Sequence, residues 1–325
     1  MQERNSCPVC GSFDLEFKCS YTSKESADIF CPPFRNEDRN KRLISAIENL
    51  WNQDHCKVYQ CKDCTFGFAI PFIGGNEEYY EILHEQMGYP SWRWEYDAAI
   101  SSLTSKKSAR ILDIGAGEGN FLSKFPEDYD LNAIESSDLT INELSKKGIS
   151  GYKSIEDKKE EWRDSFDCVT LFQVLEHISE FKDIIEDAKY ILKTGGKFIV
   201  SVPNADDMFE QERILNHPDM PPNHINKWSV KSLSIALKNS GFKVIHHMHE
   251  KRSLRNIKTK VHLRLLANAN RVNRVESKIY SINKKPLRVI LLALIFPFVL
   301  LELLPHLDYL TKGGAIYLEA KKYNP

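Results

Sequence analysis

One stretch limits what this chain can fold into more than any other: Arg110-Ile111-Leu112-Asp113-Ile114-Gly115-Ala116-Gly117-Glu118-Gly119-Asn120-Phe121, a short apolar run that breaks into closely spaced glycines. Glycine permits positive φ and lets a backbone approach a ligand closely, and the N-terminus of a following helix offers unpaired N–H groups. The pattern predicts a strand, a ligand-binding turn and a helix, in that order. Its spacing also discriminates between ligands. A pyrophosphate loop wants G-x-G-x-x-G, whereas here the third glycine arrives one residue early and Asp113 stands two positions before the first. That arrangement suits a ligand with a free amine and a free carboxylate better than a diphosphate.

S-adenosylmethionine is such a ligand. Its carboxylate can face the helix N-terminus, and its ammonium can face Asp113, directly or through water. Downstream, Leu131-Asn132-Ala133-Ile134 reads as a second strand ending in Glu135 and Ser136. Glu135 is placed to accept both ribose hydroxyls. The predicted cofactor cradle is therefore Asp113, Gly115, Ala116, Gly117, Gly119, Asn120, Glu135 and Ser136.

With that loop the chain resembles the class I S-adenosylmethionine-dependent methyltransferases. The likeness continues through Phe166-Asp167-Cys168-Val169-Thr170-Leu171-Phe172, similar to the fourth strand, and Gln173-Val174-Leu175-Glu176-His177-Ile178, similar to the family's Leu-Glu-His segment. Leu192 to Asn204 resembles the turn and fifth strand, and Pro221-Pro222-Asn223-His224-Ile225-Asn226-Lys227-Trp228-Ser229 resembles a segment of ubiquinone-biosynthesis-like and sugar methyltransferases. The resemblance implies that Ile155 and Glu156 flank the adenine and that Gln173 lies under the methionine moiety. It also implies that the aromatic stretch Glu77 to Ser102, with Tyr79, Tyr80, Tyr89, Trp92, Trp94 and Tyr96, helps to cover the cofactor; packing alone is the competing reading.

Strand-like segments at 110–114, 131–135, 149–153, 167–172, 196–202, 242–248 and 314–320 alternate with helical ones. They predict an α/β fold, a doubly wound seven-stranded Rossmann-like sheet whose last strand is antiparallel. The expected organisation is a cysteine-rich module over 1–72, an aromatic helical cap over 73–108, the cofactor-binding core over 109–250, a helical insertion over 251–310 and the last strand over 311–325.

Cys7-Pro8-Val9-Cys10 and Cys61-Lys62-Asp63-Cys64 are two C-x-x-C knuckles, each followed by a turn. Four thiolates so arranged suit a closed, structural Zn2+ site, and Cys7, Cys10, Cys61 and Cys64 are its expected ligands. Cys19, Cys31 and Cys56 are spares, and Cys168 lies in a strand and is read as core packing. The region resembles the N-terminal zinc-binding region of bacterial sugar-modifying methyltransferases. No basic segment followed by an apolar stretch opens the sequence, so the cytoplasm is the expected compartment and the eight cysteines are expected as thiols or metal ligands.

The formal net charge is −1, yet Lys251 to Arg288 holds many Lys and Arg and only Glu276 as an acid. Beside it lies the apolar run Leu287 to Leu304, interrupted by Pro297. Its length suits a bilayer crossing, but its two flanking strands are expected to join one sheet on one side, so an interfacial helix is the better reading. An anionic membrane surface, at the inner face of the membrane, is the expected partner; a homodimer is the alternative. Nucleic acid is disfavoured, because aromatic residues are sparse in the basic run.

Methyl transfer to a hydroxyl needs a proton acceptor, and histidine is matched to that work near neutral pH. His177 and His224 both follow strands at the end where open α/β sheets bind ligands. His224 is the favoured base, with His177 supporting the pocket; His246, His247 and His249 are read as the sixth strand and its edge. The acceptor expected is a small-molecule or lipid-linked sugar, glycolipid or polysaccharide. A quinone or isoprenoid phenol is the rival acceptor, and a non-catalytic binding protein is the reading from another class.

Overall fold

The computed structural model describes residues 6–85, 92–104, 108–271 and 273–323. The strands, in chain order, are β1 (Leu15–Thr22), β2 (His55–Cys61), β3 (Gly67–Ile70), β4 (Arg110–Ile114), β5 (Asp130–Ile134), β6 (Ser150–Tyr152), β7 (Phe166–Phe172), β8 (Leu192–Pro203), β9 (Asn226–Lys227), β10 (Phe242–His249) and β11 (Ala315–Lys322). The helices are α1 (Ser23–Phe30), α2 (Glu37–Trp51), α3 (Glu77–His84), α4 (Trp94–Leu103), α5 (Asp138–Lys146), α6 (Phe181–Ile191), α7 (Ala205–Leu215), α8 (Val230–Asn239), α9 (Leu254–Ala269), α10 (Val275–Tyr280), α11 (Lys285–Leu303) and α12 (Leu307–Thr311).

The main sheet has seven strands in the order β10-β11-β8-β7-β4-β5-β6. β4 to β8 run parallel, while β11 is antiparallel to both of its neighbours, as expected for the doubly wound architecture. The chain winds from β4 outward to β6, then returns to β7 on the other side of β4. That reversal opens a crevice at the carboxyl ends of β4 and β7, the usual ligand position in such sheets.

β8 begins at Leu192 rather than at the expected Gly196. The turn is absorbed into the strand: the register passes from Phe166–Leu192 to Cys168–Lys197, and Gly195 takes φ +76° in the extra loop. The helix expected after the glycine loop does not form. Leu122–Lys124 makes a single 3-10 turn, and Phe125 is already extended at ψ 148°. Pro126 accounts for this: it supplies no N–H, and its ring disfavours helical geometry in the residue before it. A full helix dipole is consequently missing at this loop.

The cysteine-rich module is joined to the core. β1, β2, β3 and β9 form a second sheet, and β9 comes from the loop after α7 of the main fold. Cys7, Val9, Cys61, Cys64, Phe66 and Phe68 share one apolar cluster with strands β7 and β8. Trp228 is fully buried there, 4.5 Å from the Phe66 ring and 5.0 Å from the Phe181 ring. Aromatic pairs of this kind contribute about 0.5–1.5 kcal/mol each beyond the area they bury.

The insertion occupies the chain between β10 and β11 and is helical. α9, α10, α11 and α12 enclose a smaller core of their own with Ile214 and Leu215 at the end of α7. His246, His247 and His249 lie on β10, at the edge of the main sheet.

Candidate active site at the carboxyl ends of β4 and β7

β4 delivers Asp113 and Ile114, and the chain then turns through Gly115, Gly117 and Gly119, with φ of 75°, 52° and 73°. An L side chain is disfavoured in this conformation by roughly 1–2 kcal/mol. Space is restricted as well: a Cβ at Gly115 would meet Val174 Cγ2 at 2.5 Å, and one at Gly119 would meet Leu144 Cδ2 at 2.5 Å. Gly117 N–H donates to Oε1 of Glu135 at 3.1 Å, so the acid that ends β5 is held against the loop. Ala116 is buried beside it, Asn120 is half-buried and Ser136 is exposed. Ile155 is buried, and Glu156 opens the short turn after it, both following the carboxyl end of β6, which runs parallel to β5.

Asp113 lies under the loop at 2% exposure, and its Oδ1 accepts a hydrogen bond from Thr170 Oγ1 at 2.7 Å. Burial pushes its carboxyl up to about 7, against the Thr170 hydrogen bond, which favours the charged form. A second buried acid, unnoticed in the sequence, is Glu95 on α4. Its Oε1 accepts from Gln173 Nε2 at 3.0 Å and from Ser201 Oγ at 3.3 Å. Burial also raises the carboxyl of Glu95 above its ordinary range. Gln173 takes φ +58°, a sparsely populated conformation for a non-glycine residue, directly after β7. Among the described residues neither acid forms an ion pair, Arg93 acting on Glu95 only at longer range, and burial opposes both anions, a setting that a positively charged ligand relieves. The acids, the glycine turn and the placement of Glu135 together fit S-adenosylmethionine, whose sulfonium and ammonium are both cationic.

α4 supplies the aromatic cover in part. Tyr96 packs on Phe172 (5.0 Å) and Phe121 (5.5 Å), and Trp94 on Tyr317 (6.2 Å). Tyr79 is wholly buried with Trp51 and Leu83, so it serves packing. Tyr89 lies outside the described residues.

His177 and His224 meet: their rings are 4.7 Å apart. His177 sits on the short turn Leu175–His177, where its Nδ1 is 2.6 Å from the carbonyl of Asn223 and 3.1 Å from the Tyr80 hydroxyl. His224 Nδ1 lies 2.7 Å from Asp219, a residue the sequence reading passed over. Burial works against the His224 cation, but the Asp219 carboxylate and its hydrogen bond outweigh it, so the imidazole titrates above its ordinary value. Burial likewise opposes the Asp219 anion, yet His224 dominates and holds that carboxyl down to about 2. Glu176 completes the cluster at 1% exposure; burial raises its carboxyl to about 7. Ligand atoms of Glu176, His177 and His224 lie within 4.8 Å of one another, close enough to share one cation.

The loop bearing His224 is stitched in place from both sides. Ile225 N–H donates to the Glu176 carbonyl, and Asn226 Nδ2 donates to the carbonyls of Leu175 and Ile178. From the cysteine-rich side, Ser26 Oγ donates to the Pro221 carbonyl, Gly75 N–H donates to that of Pro222, and Thr65 Oγ1 is 2.6 Å from Ser229 Oγ. At Gly74 a Cβ would stand 2.2 Å from the His177 carbonyl oxygen. Two glycines between β3 and α3 thus let the chain pass against the histidine turn. A 510 Å³ cleft lined by Pro8, His55, Phe72 and Phe181 contains none of these groups.

The sulfurs of Cys7, Cys10, Cys61 and Cys64 also lie within 4.8 Å of one another, with Cys7–Cys64 at 3.4 Å and Cys10–Cys61 at 3.6 Å. Tetrahedral Zn–S bonds of about 2.3 Å place sulfurs roughly 3.8 Å apart, so the set fits zinc. The hydrogen bond from Cys64 holds the Cys7 thiol down to about 5 and raises that of Cys64. Crowded thiols share protons in this way; a dication stabilises all four as thiolates. Cys19, Cys31 and Cys56 stand apart from this group, and Cys168 is buried in β7.

The family match agrees with this geometry. Residues 92–247 match a family described as a methyltransferase domain. The chain is 28% identical over 113 residues to the ubiquinone biosynthesis O-methyltransferase of Xanthomonas oryzae pv. oryzae, a match over 32% of this chain and 47% of that protein. The Xanthomonas axonopodis pv. citri protein of the same name is 28% identical over 120 residues, 34% of this chain and 49% of that one. The chain thus spans about half the length of the curated relatives it matches. Among solved structures, a SAM-dependent methyltransferase from Archaeoglobus fulgidus is similar with TM-score 0.46 and 17% identity, over 75% of this chain and 100% of that one. Another from Mesorhizobium loti has TM-score 0.45 and 15% identity, over 70% and 97%. The family match, over just under half of the chain, is to a methyltransferase domain and supports reading residues 92–247 as a class I S-adenosylmethionine-dependent methyltransferase domain.

Proposed function

We propose that this chain transfers the methyl group of S-adenosylmethionine to a hydroxyl of a sugar-type acceptor, free, lipid-linked or polymeric. The observation that carries the reading is the Asp219–His224 pair beside His177, on the turn that follows β7 three residues after Val174, the side chain that a Cβ at Gly115 would meet. S-adenosylmethionine supplies a methyl on a sulfonium, which departs as a neutral thioether. Asp113, Glu95 and the Gly115–Gly119 turn hold its amino-acid end, and Glu135 its ribose. His224 takes the acceptor's proton as the hydroxyl oxygen forms its bond to the methyl carbon, and Asp219 stabilises the resulting imidazolium. His177 and Tyr80 orient the acceptor side of the pocket. Closely placed reacting atoms and excluded water contribute most of the remaining acceleration.

A quinone or isoprenoid phenol is the second reading of the acceptor, and the printed names of the curated relatives favour it. Tritiated S-adenosylmethionine offered with nucleotide sugars, polyprenyl-linked sugars and a polyprenyl catechol separates the two. Label in the sugar classes alone is expected; label in the catechol alone refutes the sugar assignment.

Zinc at Cys7, Cys10, Cys61 and Cys64 is part of this proposal, with a positioning consequence. β9 pairs with β3 directly after the Cys61–Cys64 knuckle, and β9 begins two residues after His224. Cys64→Ser is expected to abolish one bound zinc per chain by metal analysis and to lower Tm by more than about 5 °C. Turnover should fall more than cofactor affinity. Unchanged metal content would remove zinc from the account.

A further inference from the structure

The methyl-transfer site leaves one large feature unused. On α11, Leu287, Ile290, Leu294, Phe298 and Leu301 recur at steps of three and four and so form one stripe. The other face of the helix packs inward in part: Val299 and Leu303 are buried with Val261 and Leu265 of α9, and Leu292, Ile295, Phe296 and Leu300 lie half-buried against the same cluster. The stripe is open, with Phe298 at 71%, Leu294 at 62% and Leu301 at 61% exposure, and it continues to Leu304 and Leu307. At 1.5 Å per residue, Leu287 to Leu304 spans about 25 Å. A continuous apolar strip of that length marks a contact surface rather than ordinary scatter.

Charge indicates the partner. Exposed Lys284 and Lys285 and half-exposed Arg288 stand at the start of the stripe. The acids near its far end are already engaged, Glu302 with Arg264 at 3.9 Å and Asp308 with Arg252. Topology decides how the helix can meet a bilayer. β10 and β11 are hydrogen-bonded antiparallel neighbours, so the chain leaves and re-enters the same sheet at the same end. One crossing would put the return on the wrong side, and among the described residues only Lys285–Thr311 is long and apolar enough to cross.

We propose that α11 seats the protein on an anionic bilayer surface, its stripe in the acyl boundary and Lys284, Lys285 and Arg288 among phospholipid headgroups. The docked layer adjoins the acceptor loop: Arg264 of α9 donates to the carbonyl of Leu215, four residues before Asp219. An acceptor carrying a lipid chain would therefore reach His224 without leaving the membrane surface. That extension rests on the methyl-transfer reading, whereas the docking itself does not.

Flotation of the full chain with phosphatidylcholine vesicles, with and without phosphatidylglycerol, tests the docking. Recovery with anionic vesicles is expected to exceed that with neutral ones by about tenfold or more and to fall in high salt. The pair Leu294→Ser, Phe298→Ser and the pair Lys284→Glu, Lys285→Glu should each abolish flotation while leaving S-adenosylmethionine affinity intact. Equal soluble recovery of the unaltered chain with both vesicles overturns the proposal. So does light scattering that shows a dimer, if the Leu294→Ser, Phe298→Ser chain becomes monomeric and neither chain floats. Loss of methyl transfer with flotation intact would count against the catalytic reading alone.

Discussion

Replacing His224 by alanine is expected to slow turnover by roughly 100-fold or more, the usual contribution of a positioned general base, while S-adenosylmethionine binds as before. Among the described residues the side chain pairs with Asp219 and lies against the ring of His177, with Glu176 and Lys227 as its charged neighbours. A structural histidine would give a different pattern, a lower Tm with a proportionate loss of active protein. The pH profile separates the roles further. A base must be neutral to accept a proton, and Asp219 holds His224 above its ordinary value near 6.5. Log kcat/KM should therefore rise with pH to a plateau, with its midpoint above 6.5, and Asp219→Asn should move the midpoint down. A flat profile, or an Asp219→Asn midpoint that does not move, would demote His224 to packing.

The same pair affects stability with a definite sign. Because the folded value of His224 is raised, its contribution is complete below the unfolded value and is lost as pH rises through the folded one. Asp219 behaves in the opposite way. Its value is depressed to about 2, so its contribution holds above the unfolded value and disappears only in strong acid.

Gly117→Val is expected to abolish measurable cofactor binding. Valine at φ 52° is strained, and its side chain would stand in the turn that Glu135 holds through the Gly117 N–H. The penalty combines roughly 1–2 kcal/mol of backbone strain with displacement of a ribose ligand, and each 1.4 kcal/mol is tenfold in affinity. Gly148→Ala provides the control. Gly148 has φ +75° as well, but nothing lies within 4 Å of a Cβ built there. That substitution should lower stability by a similar 1–2 kcal/mol while leaving calorimetric affinity unchanged. Equal affinity losses at both positions would mean that strain alone, and not contact with the ligand, governs the effect.

The parts of this protein legible in its sequence are those fixed by local chemistry. The apolar runs at Arg110–Ile114 and Phe166–Phe172 are too short and too β-branched or aromatic for helices, and each meets a turn where a strand must end. Two C-x-x-C pairs identify each other as one thiol cluster without any knowledge of the chain between them. The glycine turn was readable for the same reason. The helix after it was not, because the pattern of Phe121, Leu122 and Phe125 suits a helix and only Pro126 forbids one.

Residues placed by tertiary contact left little trace. Asp219 is an ordinary acid five residues before His224 until the loop folds back and brings the two within 2.7 Å. Glu95 lies in an aromatic helix and is buried only because Gln173 and Ser201 come from other elements to meet it. The two residues of β9 carry no strand signal of their own, yet they tie the cysteine-rich sheet to the loop of His224. One signal was available for the histidine turn: the Gly74-Gly75 pair, where a side chain would strike the His177 carbonyl. Adjacent glycines far from any hairpin indicate a close backbone approach.

Calorimetric titration of the full chain with S-adenosylmethionine and with S-adenosylhomocysteine tests the central claim most directly. The account predicts one saturable site per chain for both ligands, lost in Gly117→Val and weakened in Glu135→Ala, where the ribose loses its acceptor. Heat with a nicotinamide dinucleotide and none with either sulfur nucleoside would contradict it.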